Sequence, residues 1–351
     1  MPPSTAKKEL IRSITAFIAD KTRNDFNNLA CRLFAYQFEA IPAAGAYYRK
    51  CGVTPANLKD FRDIPPIGLN VFKRYELFDG SRCSKTFRTS GTSGKGRGAS
   101  CFADEDLALM TTSIMANAGA TLFADNRTTR FMMLVPSPQE APDIIMAHGM
   151  AEIAATWGTE PPLYAISRGA FLGPEAVAFL KKCIADQMPV TIIGGSFGFV
   201  NFVDRLTPEL GSLALPPGSR LLDAGGFKGR SRELTRSGFL ELMTAFFKLP
   251  ADHCFNLYGL TELGSQFYSQ GQGAKQPPHW TRVRICHPLS LNEVEDGEQG
   301  IPLLYDLANV ARPLAVLTDD LGRRHASGFD IIGRASGSAP RGCSLSLEEI
   351  R

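Results

Sequence analysis

Apolar residues recur at helical spacing through Leu10, Ile11, Ile14, Phe17 and Ile18, and again through Leu29, Leu33, Phe34 and Phe38. That spacing predicts helices over residues 5–50, with these positions as core faces. Pro55, Pro65 and Pro66 break the stretch from Gly52 to Pro66, and Val71-Phe72-Lys73 leads out of it. Asp104–Ala120 reads as a helix, and from there strand and helix candidates alternate. Arg130–Val135 is a short β-type run closed by Pro136, Ala141–Trp157 is helical, and the helix Pro174–Gln187 is followed by a strand at Pro189–Ile193. Leu221-Leu222 runs into Asp223-Ala224-Gly225-Gly226, Arg232–Lys248 is helical, and Cys254–Leu257 is a further strand. Alternation of this kind predicts an α/β protein with a mostly parallel sheet covered by helices. Ligands of such sheets gather beyond the carboxyl ends of the strands, where Gly194-Gly195-Ser196-Phe197, Gly225-Gly226-Phe227 and Tyr258–Glu262 fall. From Trp280 onward short segments separated by Gly and Pro predict a smaller β-rich subdomain, and no repeat or low-complexity tract interrupts the chain.

Two motifs stand out against this pattern. In Thr89-Ser90-Gly91-Thr92-Ser93-Gly94-Lys95-Gly96 the glycines let successive backbone N–H groups turn onto one anion, four hydroxyls can donate to phosphate oxygens, and Lys95 adds a cation. The spacing is not that of a Walker loop. Gly94-x-Gly96-x-x-Ala99 fits the letters of a dinucleotide fingerprint, but Ser84–Ser90 reads as a poor strand and no acidic residue stands about 20 positions on. Alone, the octet is equally a plain loop. The second motif, Tyr258-Gly259-Leu260-Thr261-Glu262, sets an aromatic, a hydroxyl and a carboxylate at a strand end, where they can stack a base, touch a phosphate and hold Mg²⁺.

As a pair, Thr-Ser-Gly-Thr-Ser-Gly and the downstream Tyr-Gly-x-Thr-Glu resemble the adenylate-forming superfamily of acyl and aryl acid ligases, which activate carboxylates with ATP. Leu317-Thr318-Asp319-Asp320-Leu321-Gly322-Arg323, then Gly333-Arg334 and Arg341-Gly342, resemble that superfamily's late motifs, with Asp319 in place of a glycine. The aromatic, Pro-rich entry to the first motif resembles both the acyl-protein synthetases of bioluminescence and the phenylacetate ligases, and the short length and truncated end look most like the LuxE-type acyl-protein synthetases. The resemblance implies an adenylate-forming ligase fold with helix-covered mostly parallel sheets, a small β-rich subdomain and a truncated C-terminal segment. It sets an adenylation domain over residues 1–332 and a vestigial segment carrying Cys343 over residues 333–351.

It further implies ATP and Mg²⁺ as cofactors. Asp320 is expected on the ribose hydroxyls, Glu262 on Mg²⁺, Tyr258 on the adenine or packed in the core, and Gly225, Gly226 and Phe227 in the adenine-side loop. Thr89–Lys95, Gly259, Thr261 and Arg323 complete the nucleotide side. Larger relatives bring a lysine from a C-terminal domain to the α-phosphate. Lys228, Arg334, Arg323 and Lys95 are the substitutes offered by this sequence, each alternatively a surface charge. His148 reads as a helix histidine, and Phe197, Phe199, Val200 and Phe202 as an apolar wall for the acid or as ordinary core. The acyl acceptor implied by the family is a cysteine near the C-terminus, here Cys343 within Arg341-Gly342-Cys343-Ser344.

Composition narrows the partners. Of 351 residues, 44% are hydrophobic and 21% charged, as in ordinary globular enzymes, and a net charge of +3 with no Lys/Arg run argues against nucleic acid. No apolar stretch approaches the ~20 residues of a membrane span, and Arg12 and Ser13 spoil Leu10–Ile18 as a signal core. The eight cysteines form no Cys-x-x-Cys and no metal-spaced cluster with the five histidines, so reduced thiols and a cytoplasmic location are expected. The expected activity is ATP-dependent formation of an acyl-adenylate from a small-molecule carboxylic acid, fatty or aryl, and transfer of the acyl group to a thiol. An acyl reductase is an expected partner. Transfer to coenzyme A or a carrier-protein thiol is the rival enzyme, and a non-catalytic binding module the rival of another class.

Overall fold

The computed structural model describes residues 3–88, 98–225 and 232–335. The Thr89–Gly96 motif, Gly226, Phe227 and Lys228, and Arg341 through Ser344 with Cys343 lie outside them. Two compact units are present, and neither is one run of chain. The first comprises residues 1–116, 259–266 and 276–351, and the second residues 117–258 and 267–275.

The first unit opens with three helices, Pro3–Ala19, Phe26–Ala40 and Pro42–Lys50. Asp25 caps the second by accepting from the Asn28 amide at 2.8 Å, and Pro42 starts the third where a missing N–H costs nothing. The predicted apolar stripe Leu29, Leu33, Phe34 and Phe38 is buried, with Phe34 against Tyr48 at a ring separation of 4.8 Å. Lys7 ties the first helix down, because its buried ammonium lies 3.1 Å from each of Asp79, Glu105 and Asp106.

The β-rich part expected after Trp280 is present. Gln299–Asp306 pairs antiparallel with Thr281–Cys286, Ala315–Leu317 and Asp320–His325, the last also pairing with Gly328–Arg334. Ile67–Gly68 joins this sheet by parallel pairing with Ala315–Leu317. A separate hairpin pairs Lys85–Arg88 with Ala99–Phe102. Ser84–Ser90, a poor strand by propensity, therefore contains a strand, since Phe87 gains an edge-to-face partner in Phe102 at 5.3 Å. The same pairing joins Cys83 and Cys101 in a disulfide, Cα atoms 5.6 Å apart, where reduced thiols were expected.

Residues 301–318 are buried throughout, although residues 307–314 form a loop. Gln37, itself fully buried, serves that loop. Its amide nitrogen donates to the carbonyls of Asn309, Val310 and Arg312, and its oxygen accepts from the Leu314 amide at 3.0 Å. Asp306 accepts from the Gly264 amide at 2.9 Å, the Ser265 hydroxyl at 2.7 Å and the Ala308 amide at 2.9 Å. Gly264 must be glycine here, because a Cβ would stand 2.9 Å from both the Cβ and the carbonyl oxygen of Ala308.

The second unit carries the parallel sheet that the alternation predicts. Its order is Phe267–Gln270, Cys254–Tyr258, Arg220–Ala224, Val190–Gly195, Arg130–Leu134, Leu163–Tyr164, all parallel except the first pair. Helices Gly173–Ala185, Ser196–Leu210 and Arg236–Phe247 bury apolar faces in a core with Met132, Ile192 and Leu221. The sequence pattern missed Ser196–Leu210. Phe199, Val200 and Phe202 lie on its buried face within that core, so these three do not form a wall for the acid. Two other helices start about four residues late: Thr235 caps Arg236–Phe247, and turn bonds around Pro142 precede Ile145–Trp157.

Replacing Gln37 by leucine keeps the volume but strands three carbonyls and one amide in the interior. The variant should lose about 2–4 kcal/mol of stability in urea denaturation; a loss below ~1 kcal/mol would show that the 307–314 loop finds other partners.

Candidate nucleotide and acyl-transfer site

In the second unit three neighbouring parallel strands end side by side. Gly195 pairs with Ala224, and Ala224 with Leu257, so Ser196, Gly225 and Tyr258 follow one another across the sheet edge. Gly225 has φ +71°, a left-handed conformation that glycine adopts without strain, and is exposed. Tyr258 is half-buried, its ring 6.3 Å from that of Phe267. Of the adenine-side residues read from sequence, the structure thus brings Gly225 and Tyr258 together.

Beneath them lies a polar group that the sequence reading missed. Asp223, 3% exposed, accepts from Ser196 Oγ at 2.8 Å, Asn256 Nδ2 at 2.8 Å and Arg236 Nη1 at 2.6 Å. Ser196 can also donate to the Gly225 carbonyl at 2.9 Å, and Arg236 to the carbonyls of Gly271 and Cys254. The buried carboxylate is thereby paired, hydrogen-bonded and tied to the glycine turn. The strands offered a signal: Asp223 and Asn256 are polar positions flanked by apolar residues, in Leu222-Asp223-Ala224 and Phe255-Asn256-Leu257.

The chain enters the first unit at Gly259. Thr261 and Glu262 are buried there, and Glu262 is 4% exposed. Burial pushes the Glu262 carboxyl up to about 7, with Asp319 adding to the rise and its own backbone amide, Lys73 and Arg312 opposing it. Among the described residues it has no ion-pair partner, and no group of three or more metal-ligating side chains occurs. A desolvated carboxylate with no ion pair among the described residues has the chemistry of a Mg²⁺ ligand, since that ion commonly takes one or two carboxylates and completes its shell with substrate phosphates and water. Asn309 fixes the turn by donating to the Glu262 carbonyl at 2.9 Å.

The late-motif residues lie in the same unit. Asp320 opens its strand with Arg334 directly opposite, the guanidinium Nε 3.9 Å from Oδ1. Arg323 sits three residues along, half-buried, its Nε without a partner among the described residues. Arg334 is exposed, and Asp319, in the place of the motif glycine, is within electrostatic reach of Glu262. His148 lies on Ile145–Trp157 in the second unit, as read. Arg312 and Asn309 also went unnoticed, although with Asp306 they are the only strongly polar residues in the apolar run from Ile301 to Leu317.

A family model described as acyl-protein synthetase, LuxE, matches residues 44–350. A curated relative, the long-chain-fatty-acid–luciferin-component ligase of Vibrio harveyi, is 22% identical over 308 residues, covering 83% of this chain and 79% of the relative. Among solved structures, an open conformation of 2-hydroxyisobutyryl-CoA ligase in complex with 2-HIB-AMP and CoA aligns with a TM-score of 0.64 at 16% identity, over 89% of this chain and 74% of that one. McyG A-PCP complexed with phenylalanyl-adenylate aligns with a TM-score of 0.53 at 15% identity, over 84% and 47%. At such identities the likeness is one of fold, and the fold is that of the adenylate-forming ligases.

Arg236→Met removes the one cation bonded to buried Asp223 while retaining much of the side-chain length. About 3 kcal/mol of stability should be lost in urea denaturation; a change under ~1 kcal/mol would show that Asn256 and Ser196 suffice for the carboxylate.

Proposed function

Because the chain belongs to the LuxE family of acyl-protein synthetases, and is accordingly an AMP-forming carboxylic acid ligase, we propose that it loads a fatty acid, through its adenylate, onto the thiol of its own Cys343. The family match over residues 44–350 is the observation that carries this reading, since it includes both nucleotide motifs and Cys343. The relative's name, a long-chain-fatty-acid ligase, favours a long acyl chain over an aryl acid.

In the first step a carboxylate oxygen of the acid attacks the α-phosphorus of ATP, the bond to the β-phosphate oxygen breaks, and pyrophosphate leaves. We assign Tyr258, Gly225, Gly226 and Phe227 to the adenine side, Asp320 to the ribose hydroxyls, and Thr89–Lys95, Gly259 and Thr261 to the phosphates. Arg323, Arg334 and Lys228 are the cations available to the α-phosphate. Glu262 would hold Mg²⁺, which supplies charge neutralisation of the triphosphate. In the second step the Cys343 thiolate attacks the acyl carbon, the bond to the AMP oxygen breaks, and AMP leaves with the electron pair.

Thiol chemistry supports Cys343 over most alternatives within the chain. Burial raises the Cys183 thiol, and pushes Cys254 up to about 12 and Cys286 up to about 11, so these stay protonated and shielded. Cys83 and Cys101 are bonded to each other, and Cys31 is raised by burial and nearby carboxylates. Exposed Cys51 is the competitor to be tested. An acyl reductase, a carrier protein or coenzyme A would then receive the acyl group, and the need for ATP favours the cytoplasm.

Acid-dependent ATP–pyrophosphate exchange across fatty and aryl acids should reveal a fatty-acid substrate. Glu262→Gln should lower that exchange by roughly 10²-fold; unchanged exchange would remove Glu262 from the site.

With ATP and labelled fatty acid, the protein should acquire label that neutral hydroxylamine releases. Cys343→Ser should abolish the label and leave exchange intact, while Cys51→Ser keeps both. Label retained in Cys343→Ser, or coenzyme A acylated with no labelled protein, would shift the acceptor elsewhere.

A further inference from the structure

Strand Ile67–Gly68 runs parallel to Ala315–Leu317, with Ile67 beside Val316 and Gly68 beside Leu317. Parallel strands end on the same side, and the Leu69 amide carries the pairing one step further by donating to the Leu317 carbonyl at 3.2 Å. The chain leaves one strand through Asn70 into the short helical turn Val71–Lys73, and leaves the other through Thr318 into Asp319 and Asp320. Residues 70–73 and 318–320 therefore start from adjacent strand ends. Val71 and Phe72 are buried, and the Lys73 amide donates to the Asn70 carbonyl at 3.3 Å, so Lys73 stands exposed on an anchored turn.

Lys73 is also within electrostatic reach of Glu262, as Asp319 is. Its ammonium forms no ion pair with these carboxylates among the described residues. Arg312, the other cation that Glu262 feels, is 2% exposed and directs its donors inward, to the Cys101 carbonyl and Asn309 Oδ1, each at 3.2 Å. Of the two, Lys73 is the one that can meet a ligand. A triphosphate brought to Glu262, Asp319 and Asp320 faces three carboxylates, and a cation beside them offsets the repulsion. Lysine suits that task as a compact point charge on a flexible stem, able to follow phosphate oxygens as pyrophosphate forms. A lysine kept only to balance the carboxylates would sit in an ion pair with one of them.

We propose that Lys73 is a catalytic residue for adenylation, its ammonium contacting the β- and γ-phosphates of ATP beside the Glu262 carboxylate. The inference rests on the nucleotide reading given above and adds to it a contact that neither motif supplies. As the acid's carboxylate oxygen bonds to the α-phosphorus, the bond to the bridging oxygen breaks and its electron pair goes to pyrophosphate. Lys73, protonated throughout, steadies that charge. It transfers no proton and takes no part in thioester formation.

The test compares Lys73→Met and Lys73→Arg with the unaltered protein in acid-dependent ATP–pyrophosphate exchange, in calorimetry and in thermal melting. The calorimetric probes are MgATP and a fatty acylsulfamoyl-adenosine, a stable analogue of the adenylate that carries no β- or γ-phosphate. Lys73→Met should slow exchange by roughly 10²-fold and weaken MgATP by roughly tenfold, with binding of the adenylate analogue and the melting temperature unchanged. Lys73→Arg, which keeps the charge, should recover most of the loss. Wild-type exchange in Lys73→Met, an equal loss of MgATP and analogue, or no recovery in Lys73→Arg would overturn the inference and leave Lys73 a surface charge. Should Lys73→Met fail to fold, Lys73→Gln decides on the same split between MgATP and analogue. An unaltered protein that shows no exchange and binds neither probe would overturn the adenylation reading and this inference together, whereas intact exchange with an indifferent Lys73→Met overturns only the inference.

Discussion

A loop that is buried must satisfy its backbone without water, and residues 307–314 impose that demand on the first unit. Much of the unit's polar interior answers it. Gln37 reaches in from the second helix, Asp306 collects the Gly264 and Ala308 amides with the Ser265 hydroxyl, and Ser265 in turn meets Ser113 and the Trp280 indole. Glu262 sits just before Gly264 and Ser265 in the chain, so the geometry of its turn is inherited from this network. A carboxylate so mounted is desolvated before any ligand arrives, which is why its proton affinity is high.

The second unit solves a similar problem with fewer parts. Parallel strands ending together leave carbonyls and a glycine turn at one edge, and Asp223 anchors that edge from below through Ser196, Asn256 and Arg236. Each unit thus carries a buried carboxylate beside one of the motif segments, one ion-paired with an arginine and one with no ion pair among the described residues. The paired one is suited to hold a backbone still.

Much of this was legible from residue order, because local pattern dictated it. The parallel sheet followed from alternation, the helical N-terminus from apolar stripes, and the motif residues Tyr258, Glu262 and Asp320 from their resemblance to one superfamily. What escaped depended on long-range partners. Lys85–Arg88 is a strand only because Ala99–Phe102 lies beside it, and Phe199 and Phe202, readable as an acid wall or as ordinary core, prove to be core once the helix that carries them packs there. Gln37 reads as an ordinary polar position on a helix. Its role is visible only once residues more than 270 positions away fold against it. The cross-linked Cys83 and Cys101 were likewise brought together by strand pairing and not by any cysteine spacing.

The way the chain threads its two units bears on its synthesis. By the time Gln270 leaves the ribosome every strand of the second unit's sheet exists, whereas the main sheet of the first has only Ile67–Gly68 until Thr281 and later residues follow. The apolar helices made first, with Gln37 among them, must therefore wait for residues 305–314 before they can be covered. The oldest part of the nascent chain is the last to be finished. A protein built in that order leaves apolar helix faces incompletely covered until its last strands emerge, and such faces are open to aggregation and to chaperones.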